Sequence, residues 1–146
     1  MIALLQRVTS ADVRIAQRTV AAIGRGLLVL VGVRRGDRET DAARLAERLL
    51  AYRVFPDANG RMNLSVREIG GALLVVPQFT LAADTASGTR AGFSTAAEPA
   101  LAQALFESLS TQLQDAYAPV STGVFGADMQ VALVNDGPVT FWLETP

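Results

Sequence analysis

Hydrophobic and polar residues follow two different periods along the chain, and each period predicts a different kind of element. Apolar residues alternate with polar ones, or run without interruption, in ten short segments. Such segments are typical of β-strands, half-buried where they alternate and fully buried where they do not. The predicted strands cover residues 2–8, 12–16, 19–23, 27–33, 54–55, 62–66, 72–76, 120–125, 129–134 and 139–144.

Two longer stretches carry apolar residues at helical spacing instead. The first covers residues 39–53 and the second residues 98–117. In the second, leucines recur at every fourth residue from Leu101 to Leu113, and Pro99 suits the first turn of a helix. We therefore predict two main helices.

The order of these elements predicts the fold class. Glycine- and proline-containing turns separate the strands, and residues 82–96 form a polar, small-residue stretch that we predict to be a long loop. No repeat or linker divides the chain. The pattern therefore predicts an α+β fold over residues 1–146, as one domain with a mixed, barrel-like β-sheet and two main helices.

The composition excludes several kinds of chemistry. The 146 residues include no histidine and no cysteine, and all 13 basic residues are arginine. Ser-His-Asp and Cys-His nucleophiles, lysine Schiff bases and Cys/His zinc sites are thereby ruled out. An enzyme built from this chain must use hydroxyls, carboxylates, tyrosine, arginine, backbone amides or groups of its substrate. We expect it to need no metal and no cofactor.

The composition also bears on location. No apolar run reaches the roughly 18 residues that a membrane span requires. The first residues read as a strand and lack the features of a signal peptide. With no cysteine to oxidise, we expect a cytoplasmic protein that does not bind membranes.

Charge is unevenly distributed between the two halves of the chain, although the net charge is only −1. Residues 1–67 contain 12 arginines against six acidic residues, and residues 68–146 contain one arginine against eight acidic residues. Such asymmetry can indicate an anionic partner such as nucleic acid. The favoured alternative is that the halves interleave in space and the charges mix.

Two segments contain polar groups where a plain core would not need them. Residues 77–81 (Pro-Gln-Phe-Thr-Leu) follow a buried strand, and Gln78 and Thr80 offer an amide and a hydroxyl there. Residues 135–140 (Asn-Asp-Gly-Pro-Val-Thr) connect two predicted strands. On the residues alone, a locally satisfied strand end and a hairpin loop are the favoured interpretations. The sharper alternative for the second segment is a cis Gly-Pro bond that presents two fixed carbonyls.

Taken together, the two segments resemble the bacterial and eukaryotic D-aminoacyl-tRNA deacylase family. Residues 1–8, 26–32, 52–55, 62–64, 78–85 and 129–142 follow the order and spacing of that family. The resemblance implies hydrolysis of D-aminoacyl-tRNA, and of glycyl-tRNA mischarged on tRNA-Ala, to free amino acid and tRNA. The implied partners are a second copy of the chain and the aminoacylated 3′ end of tRNA, without DNA.

Roles for individual residues also follow from the resemblance. Gly137 and Pro138 would form a cis peptide that enters the partner's pocket, holds the amino group of a D-amino acid and excludes an L side chain. Gln78, Phe79 and Thr80 would flank the ester carbonyl as the catalytic stretch. Because threonine needs a base that this chain lacks, we favour assistance by the 2′-hydroxyl of the tRNA, with backbone N–H groups holding the oxyanion.

Four further positions are candidates for substrate binding. Phe125 and Met129 match positions around the terminal adenosine of the tRNA, although core packing explains them equally well. Arg7 could meet a phosphate or brace the dimer, and a surface salt bridge is an equal alternative. Pro77 stands where the family usually has serine, so a hydroxyl and an N–H are missing beside the catalytic stretch. The family's usual proline after Arg90 is also missing.

Two other functions remain open at this point. One is a small-molecule hydrolase or deaminase that uses the same pocket on free metabolites. The other is a tRNA-binding module in which the change at Pro77 has abolished catalysis. Incubation with D-tyrosyl-tRNA and L-tyrosyl-tRNA would discriminate among the three.

Overall fold

A six-stranded mixed sheet and two helices make up most of the molecule. The computed structural model describes residues 1–146. The strands of the sheet run in the order β2-β1-β3-β6-β7, and β8 pairs with β1 as well. The strands are β1 (Ile2–Ile15), β2 (Arg18–Ile23), β3 (Gly26–Gly32), β4 (Phe55–Pro56), β5 (Met62–Leu64), β6 (Ala72–Pro77), β7 (Val120–Thr122) and β8 (Gln130–Glu144). The helices are α1 (Glu39–Ala51) and α2 (Pro99–Ala116), with a short 3-10 helix at Phe79–Ala82.

The sheet combines antiparallel and parallel pairing. β1 is antiparallel to β2, β3 and β8, whereas β3, β6 and β7 are mutually parallel. Strands β4 and β5 form a separate two-stranded sheet. The predicted α+β class, with a nearly closed barrel-like mixed sheet and two helices, is confirmed. Neither helix is long and apolar enough to cross a membrane.

The uninterrupted apolar runs of β3 and β6 are explained by burial on both faces. Leu27 and Val29 of β3 face a core of 23 buried residues, which α1 and α2 cover. Leu28 faces the opposite way, into a smaller cluster of six buried residues that also contains Leu74 and Val76 of β6. Strands buried on both sides have no polar face, so alternation disappears from their sequence.

Two predicted strand breaks do not exist. The predicted strands at 2–8 and 12–16 form one strand, β1, which ends one residue early at Ile15 and whose pairing with β8 is irregular around Val8. The sequence predicts two strands at 129–134 and 139–144 joined by a hairpin, but residues 130–144 form the single strand β8. Both halves of β8 run antiparallel to β1, so the chain does not reverse direction between them.

The turn-forming residues of β8 produce a wide bulge instead of a hairpin. Asn135 lies opposite Val8, and Thr140 lies opposite Gln6. On β1, only Arg7 lies between Gln6 and Val8, so this one residue faces residues 136–139 of β8. A bulge of this kind bends a strand and projects residues out of the ladder while the pairing continues on both sides.

Other boundaries differ by a few residues. Strand β5 ends at Leu64 and β7 ends at Thr122, short of the predicted ends at residues 66 and 125. Helix α1 ends at Ala51, two residues early. The predicted loop at 82–96 is irregular, except for isolated bridges that join Asp84 to Gly92 and Ala96 to Arg34.

Candidate functional site

The candidate catalytic stretch, residues 78–80, begins where strand β6 ends. The N–H of Gln78 donates to the carbonyl of Val31 at 2.7 Å, which continues the pairing with β3 one residue beyond the strand. The nitrogen of Pro77 faces the other way, since its Cδ would lie 3.3 Å from a Cβ added at Gly123. Pro77 therefore removes an N–H from the side that faces away from β3.

The 3-10 helix fixes the backbone immediately after this strand. The N–H of Leu81 donates to the Gln78 carbonyl, and that of Ala83 donates to the Thr80 carbonyl, both at 3.2 Å. The leading N–H groups, those of Phe79 and Thr80, have no acceptor within the helix, as at any helix start. Gln78 Nε2 also donates to Thr80 Oγ1 at 2.5 Å, so the threonine hydroxyl accepts this bond.

A cavity of about 460 Å³, here called the strand-end pocket, opens at this point. Its walls come from the end of β6, from the loop before β8 and from the start of α2. The pocket brings together five predicted site residues, namely Pro77, Gln78, Phe79, Phe125 and Met129. The other lining residues are Val76, Ala97, Pro99, Ala102, Gly126, Ala127, Asp128 and Val131.

The loop that carries Phe125 and Met129 is held closely against β6. The N–H of Gly123 donates to the carbonyl of Val75 at 2.8 Å, and Met129 Sδ accepts the N–H of Val124 at 3.4 Å. A Cβ at Gly123 would lie 3.0 Å from that sulfur, so the close approach favours glycine. The Phe125 ring packs on Phe106 of α2, with ring centroids 6.3 Å apart. Phe125 and Met129 therefore serve both as packing residues and as pocket walls.

Thr80 does not line the strand-end pocket. It lines a neighbouring cavity of about 630 Å³, the β8-side cavity, together with Arg34, Asp84, Trp142 and Glu144. Both carboxylates there already accept hydrogen bonds. Asp84 accepts the N–H of Ala86 at 3.0 Å.

Glu144 is engaged on both of its oxygens. It accepts from Trp142 Nε1 at 2.6 Å and from Arg34 Nη1 at 3.0 Å. The hydrogen bond from Trp142 holds the pKa of Glu144 below its ordinary value. Thr80 itself has no acceptor for its proton among the side chains, so no base is in place to activate it.

Gly137 and Pro138 lie at the exposed tip of the β8 bulge. Their peptide bond is cis, as the family resemblance implies. A second cis bond, Ala118–Pro119, was not predicted from the sequence. Neither Gly137 nor Pro138 lines the strand-end pocket or the β8-side cavity of its own chain. The two halves of the predicted site are thus separate within one copy of the chain.

The side chains of Arg7 and Asn135 donate hydrogen bonds to the backbone of the bulge. Arg7 Nε donates to the Asp136 carbonyl at 3.0 Å, and Nη1 donates to the Val54 carbonyl at 2.7 Å. Asn135 Nδ2 bridges two carbonyls, those of Arg7 at 2.9 Å and Val139 at 3.0 Å. Arg7 is therefore engaged within its own chain, next to Gly137 and Pro138, and is absent from the strand-end pocket.

Sequence reasoning missed several residues of the pocket. Asp128 is the one ionisable side chain among its lining residues, and Ala97, Pro99 and Ala102 form its α2 wall. The sequence indicated Pro99 only as a residue in the first turn of a helix. Asp128 lies between two predicted strands, where an acidic residue is typical of a turn. Across the chain, no group of three or more His, Cys, Asp or Glu side chains could hold a metal ion.

The charges of the two sequence halves mix in space. Arg7 pairs with Asp136, Arg34 with Glu144 and Arg35 with Glu98, so three basic residues of the first half meet acids of the second. The interleaved arrangement is therefore the correct interpretation for these residues. The sequence asymmetry does not by itself mark a basic face.

Solved structures define the fold class. One, described as c-Myc DNA unwinding element binding protein, matches with a TM-score of 0.95 and 38% identity, covering 100% of this chain and 99% of that one. Another, described as a structural analysis of a probable eukaryotic D-amino acid tRNA deacylase, matches with a TM-score of 0.85 over 99% of this chain and 98% of that one. At 17% identity, the second likeness shows the fold alone.

Sequence comparison identifies the family. The profile described as D-Tyr-tRNA(Tyr) deacylase matches residues 4–144. A D-aminoacyl-tRNA deacylase of Thioalkalivibrio sulfidiphilus is 62% identical over 100% of this chain and 98% of its own length. One of Methylococcus capsulatus is 60% identical over 100% of this chain and 95% of its own length. The chain belongs to the D-Tyr-tRNA(Tyr) deacylase family. It is a hydrolase that acts on D-aminoacyl-tRNA, so tRNA is its substrate.

Proposed function

We propose that a homodimer of this chain removes D-amino acids, and glycine mischarged on tRNA-Ala, from tRNA, and rejects L-aminoacyl-tRNA through Gly137 and Pro138 of the partner subunit. The strand-end pocket is the observation that carries this proposal. Its volume of about 460 Å³ suits a nucleoside, since ligand pockets typically measure about 300–1,000 Å³. The pocket lies beside free backbone N–H groups and has no histidine, cysteine or lysine.

In this proposal the terminal adenosine binds between the loop before β8 and the start of α2. The Phe125 ring offers a stacking surface for the base, and Met129 offers an adaptable apolar contact. The ester carbonyl then lies toward Gln78 and Phe79, at the beginning of the 3-10 helix. This placement explains why an aromatic and a thioether line a pocket beside a catalytic stretch.

The chemistry uses the substrate and the backbone. Hydrolysis develops negative charge on the carbonyl oxygen, and the N–H groups of Phe79 and Thr80 are available to stabilise it. The 2′-hydroxyl of the terminal ribose lies next to the ester by covalent structure, so it can assist the attack without being recruited. The bond from Gln78 orients Thr80 as a positioned hydroxyl, which suits contact with the substrate better than nucleophilic attack.

Exposed apolar side chains around β8 support the homodimer. Phe79 is 58% exposed, Val134 is 56% exposed and Trp142 is 49% exposed. Strand β8 pairs only with β1, so its other edge is free. Large exposed apolar surface on a soluble domain usually marks an interaction site. A two-fold axis across this face would make the contact isologous.

The position of Trp142 supports an active site shared across that axis. Trp142 lines the same cavity as Thr80, and it follows Pro138 by four residues on the same strand. Four residues of strand span about 14 Å. A two-fold axis between these two points would therefore bring the partner's Gly137–Pro138 turn close to Thr80. Fixed carbonyls on that turn would accept bonds from the amino group of a D-amino acid and leave no room for an L side chain.

Single-turnover hydrolysis of D-tyrosyl-tRNA and L-tyrosyl-tRNA tests the proposal, with glycyl-tRNA-Ala as a third substrate. We expect loss of the D-ester and the glycyl ester and no loss of the L-ester. Val134→Glu places a charge on the proposed interface and should give an inactive monomer by sedimentation. Val20→Glu is the matched control, because Val20 is also an exposed valine on a strand but lies on β2. A fully active Val134→Glu monomer would exclude the shared site.

The substrate also bears on where the protein acts. Aminoacyl-tRNA is made and used in the cytoplasm, and we infer that the deacylase works there. The proposal needs no membrane contact and no DNA.

A further inference from the structure

A third cavity differs from the other two in having a polar lining. It measures about 540 Å³ and contains no aliphatic or aromatic side chain apart from one proline. Two of its lining residues, Arg34 and Thr95, also line the β8-side cavity, so the two spaces adjoin. We call it the arginine cavity. Its lining residues are Arg34, Arg35, Gly36, Asp37, Ser94, Thr95 and Pro146.

Arg35 is the cation of this cavity that has hydrogen-bonding capacity to spare. Arg34 already donates to the Glu144 side chain and to the Thr145 carbonyl. Asp37, the one acid, is nearly buried and accepts the N–H of Arg34 at 2.6 Å. Arg35 has only a contact of 3.8 Å with Glu98, and the two side chains are 68% and 82% exposed. An ion pair so exposed and so long contributes little.

The arginine cavity lies next to the rim of the strand-end pocket. Glu98 stands between Ala97 and Pro99 in sequence, and both of these line the pocket. Thr95, which lines the arginine cavity, precedes Ala97 by two residues, a span of at most about 7 Å. Arg35 therefore stands at the α2 side of the pocket mouth.

The lining of the strand-end pocket contains no positive charge that could bind a phosphate. The one ionisable side chain in its lining is Asp128, whose negative charge repels phosphate. Arg35, at the α2 side of the mouth, offers a nucleotide chain that leaves the pocket a positive charge that the lining itself lacks.

We propose that Arg35 binds the phosphate that joins the terminal adenosine to the preceding nucleotide of the tRNA, and that the exposed carboxylate of Glu98 weakens this contact. The inference rests on the proposed binding of the terminal adenosine in the strand-end pocket. A guanidinium matches the geometry of a phosphate and binds it through two parallel N–H bonds. Ser94, exposed in the same cavity, adds a hydroxyl that can donate to the same group.

Two substitutions should change binding in opposite directions. Arg35→Gln should raise the KM for D-tyrosyl-tRNA about tenfold with kcat unchanged, as loss of one phosphate contact predicts. It should also reduce the slope of log(kcat/KM) against log salt by about 0.7, the single-strand value for one phosphate. Glu98→Gln should lower KM, because it frees Arg35 and removes a repelling charge. Glu98 makes no side-chain cap on α2, so this change costs the helix no cap bond.

Arg44→Gln is the control for loss of a positive charge. Arg44 is exposed on α1, and it lines neither the strand-end pocket, nor the β8-side cavity, nor the arginine cavity. Its removal should leave KM and the salt slope within about twofold of wild type, since a distant exposed charge is screened. A rise in KM equal to that of Arg35→Gln would mean a general charge effect and would overturn the inference.

A double cycle identifies the phosphate itself. Wild type and Arg35→Gln are compared on a D-tyrosyl minihelix with a normal last internucleotide phosphate and on one with an uncharged methylphosphonate there. If Arg35 binds this group, the substitution should cost about tenfold in KM on the first substrate and almost nothing on the second, so that the effects are non-additive. Equal losses on both substrates, or no loss on either, would refute the assignment. The preference of the wild type for the D-ester over the L-ester is measured separately. That result tests the proposed function independently of Arg35.

Discussion

Removal of the Thr80 hydroxyl should leave most of the activity intact. Thr80→Val is the suitable change because it keeps the branched shape and removes only the hydroxyl. In the structure that hydroxyl accepts one bond, from Gln78 Nε2 at 2.5 Å, and has no base within reach of its proton. The nearby carboxylates of Asp84 and Glu144 are engaged by other donors.

The size of the expected effect separates the two mechanisms. Loss of one hydrogen bond that orients a group costs about 0.5–1.5 kcal/mol, which corresponds to roughly a 2- to 13-fold loss of rate. Loss of a true nucleophile costs on the order of 10⁶-fold in a serine hydrolase. Replacing the terminal ribose by 2′-deoxyribose removes the assisting hydroxyl, and we expect a loss on the order of 10²–10⁴-fold, as for general acid–base catalysis.

Single-turnover deacylation of D-tyrosyl-tRNA measures both perturbations. Thr85→Ala is the matched control, because Thr85 lines the same β8-side cavity and is exposed. An inactive Thr80→Val variant, together with normal cleavage of the 2′-deoxy substrate, would refute substrate assistance. In that case Thr80 would be the nucleophile, and its base would have to come from the partner subunit or from solvent.

Three further substitutions test the backbone at Gly137, the carboxylate of the strand-end pocket and the acid stability of the fold. Gly137→Ala should fold and dimerise, but its rate of hydrolysis of the D-ester should fall at least about tenfold. At this position φ is +147°, and an added Cβ would lie 2.6 Å from the Val139 nitrogen, a strain that costs about 1–3 kcal/mol. Full activity of the variant would contradict this prediction. Asp128→Asn should keep activity within about threefold, whereas loss of a general base would cost about 10²–10⁴-fold. Asn63→Ala should raise the pKa of Asp57 toward its ordinary value of 3.8, because the Asn63 hydrogen bond is the main cause of the lowering. A carboxyl group whose pKa is lowered by folding stabilises the fold above its ordinary pKa and loses this effect as pH falls through the folded-state pKa. The variant should therefore show a shallower loss of stability as pH falls below about 3.8, checked by NMR titration and denaturation.

The parts of the fold that depend on burial alone could be predicted from the sequence. The apolar run of β6 and the leucine stripe of α2 each identify an element, because burial on two faces or on one helical stripe leaves a direct pattern. The same holds for the strand-end segment at Gln78 and Phe79. These residues follow a buried strand, and the place where a buried strand ends is visible in sequence.

Other features depend on pairing between distant segments. Asn, Asp, Gly and Pro at positions 135–138 are the composition of a hairpin, and nothing local distinguishes a hairpin from a bulge. The difference is that β1 continues past the bulge and pairs with both halves of β8. Likewise, Asp128 belongs to the pocket only because Gly123 lies against Pro77, an approach between segments more than 40 residues apart.

The bracing of the β8 bulge bears on how discrimination between D and L substrates could work. Arg7 and Asn135 hold the carbonyls of Asp136 and Val139, on either side of Gly137 and Pro138, with one hydrogen bond each. A further bond anchors each of the two side chains elsewhere in the same chain, to the carbonyls of Val54 and Arg7. The turn is therefore already ordered before any partner binds. The entropy lost on ordering it is a cost of folding, so it does not weaken association with the partner. A steric filter needs this property, because a mobile turn would move aside for an L side chain and lose selectivity. In the proposed function the bulge can therefore act through its carbonyl groups alone, because Arg7 and Asn135 hold the backbone that carries them.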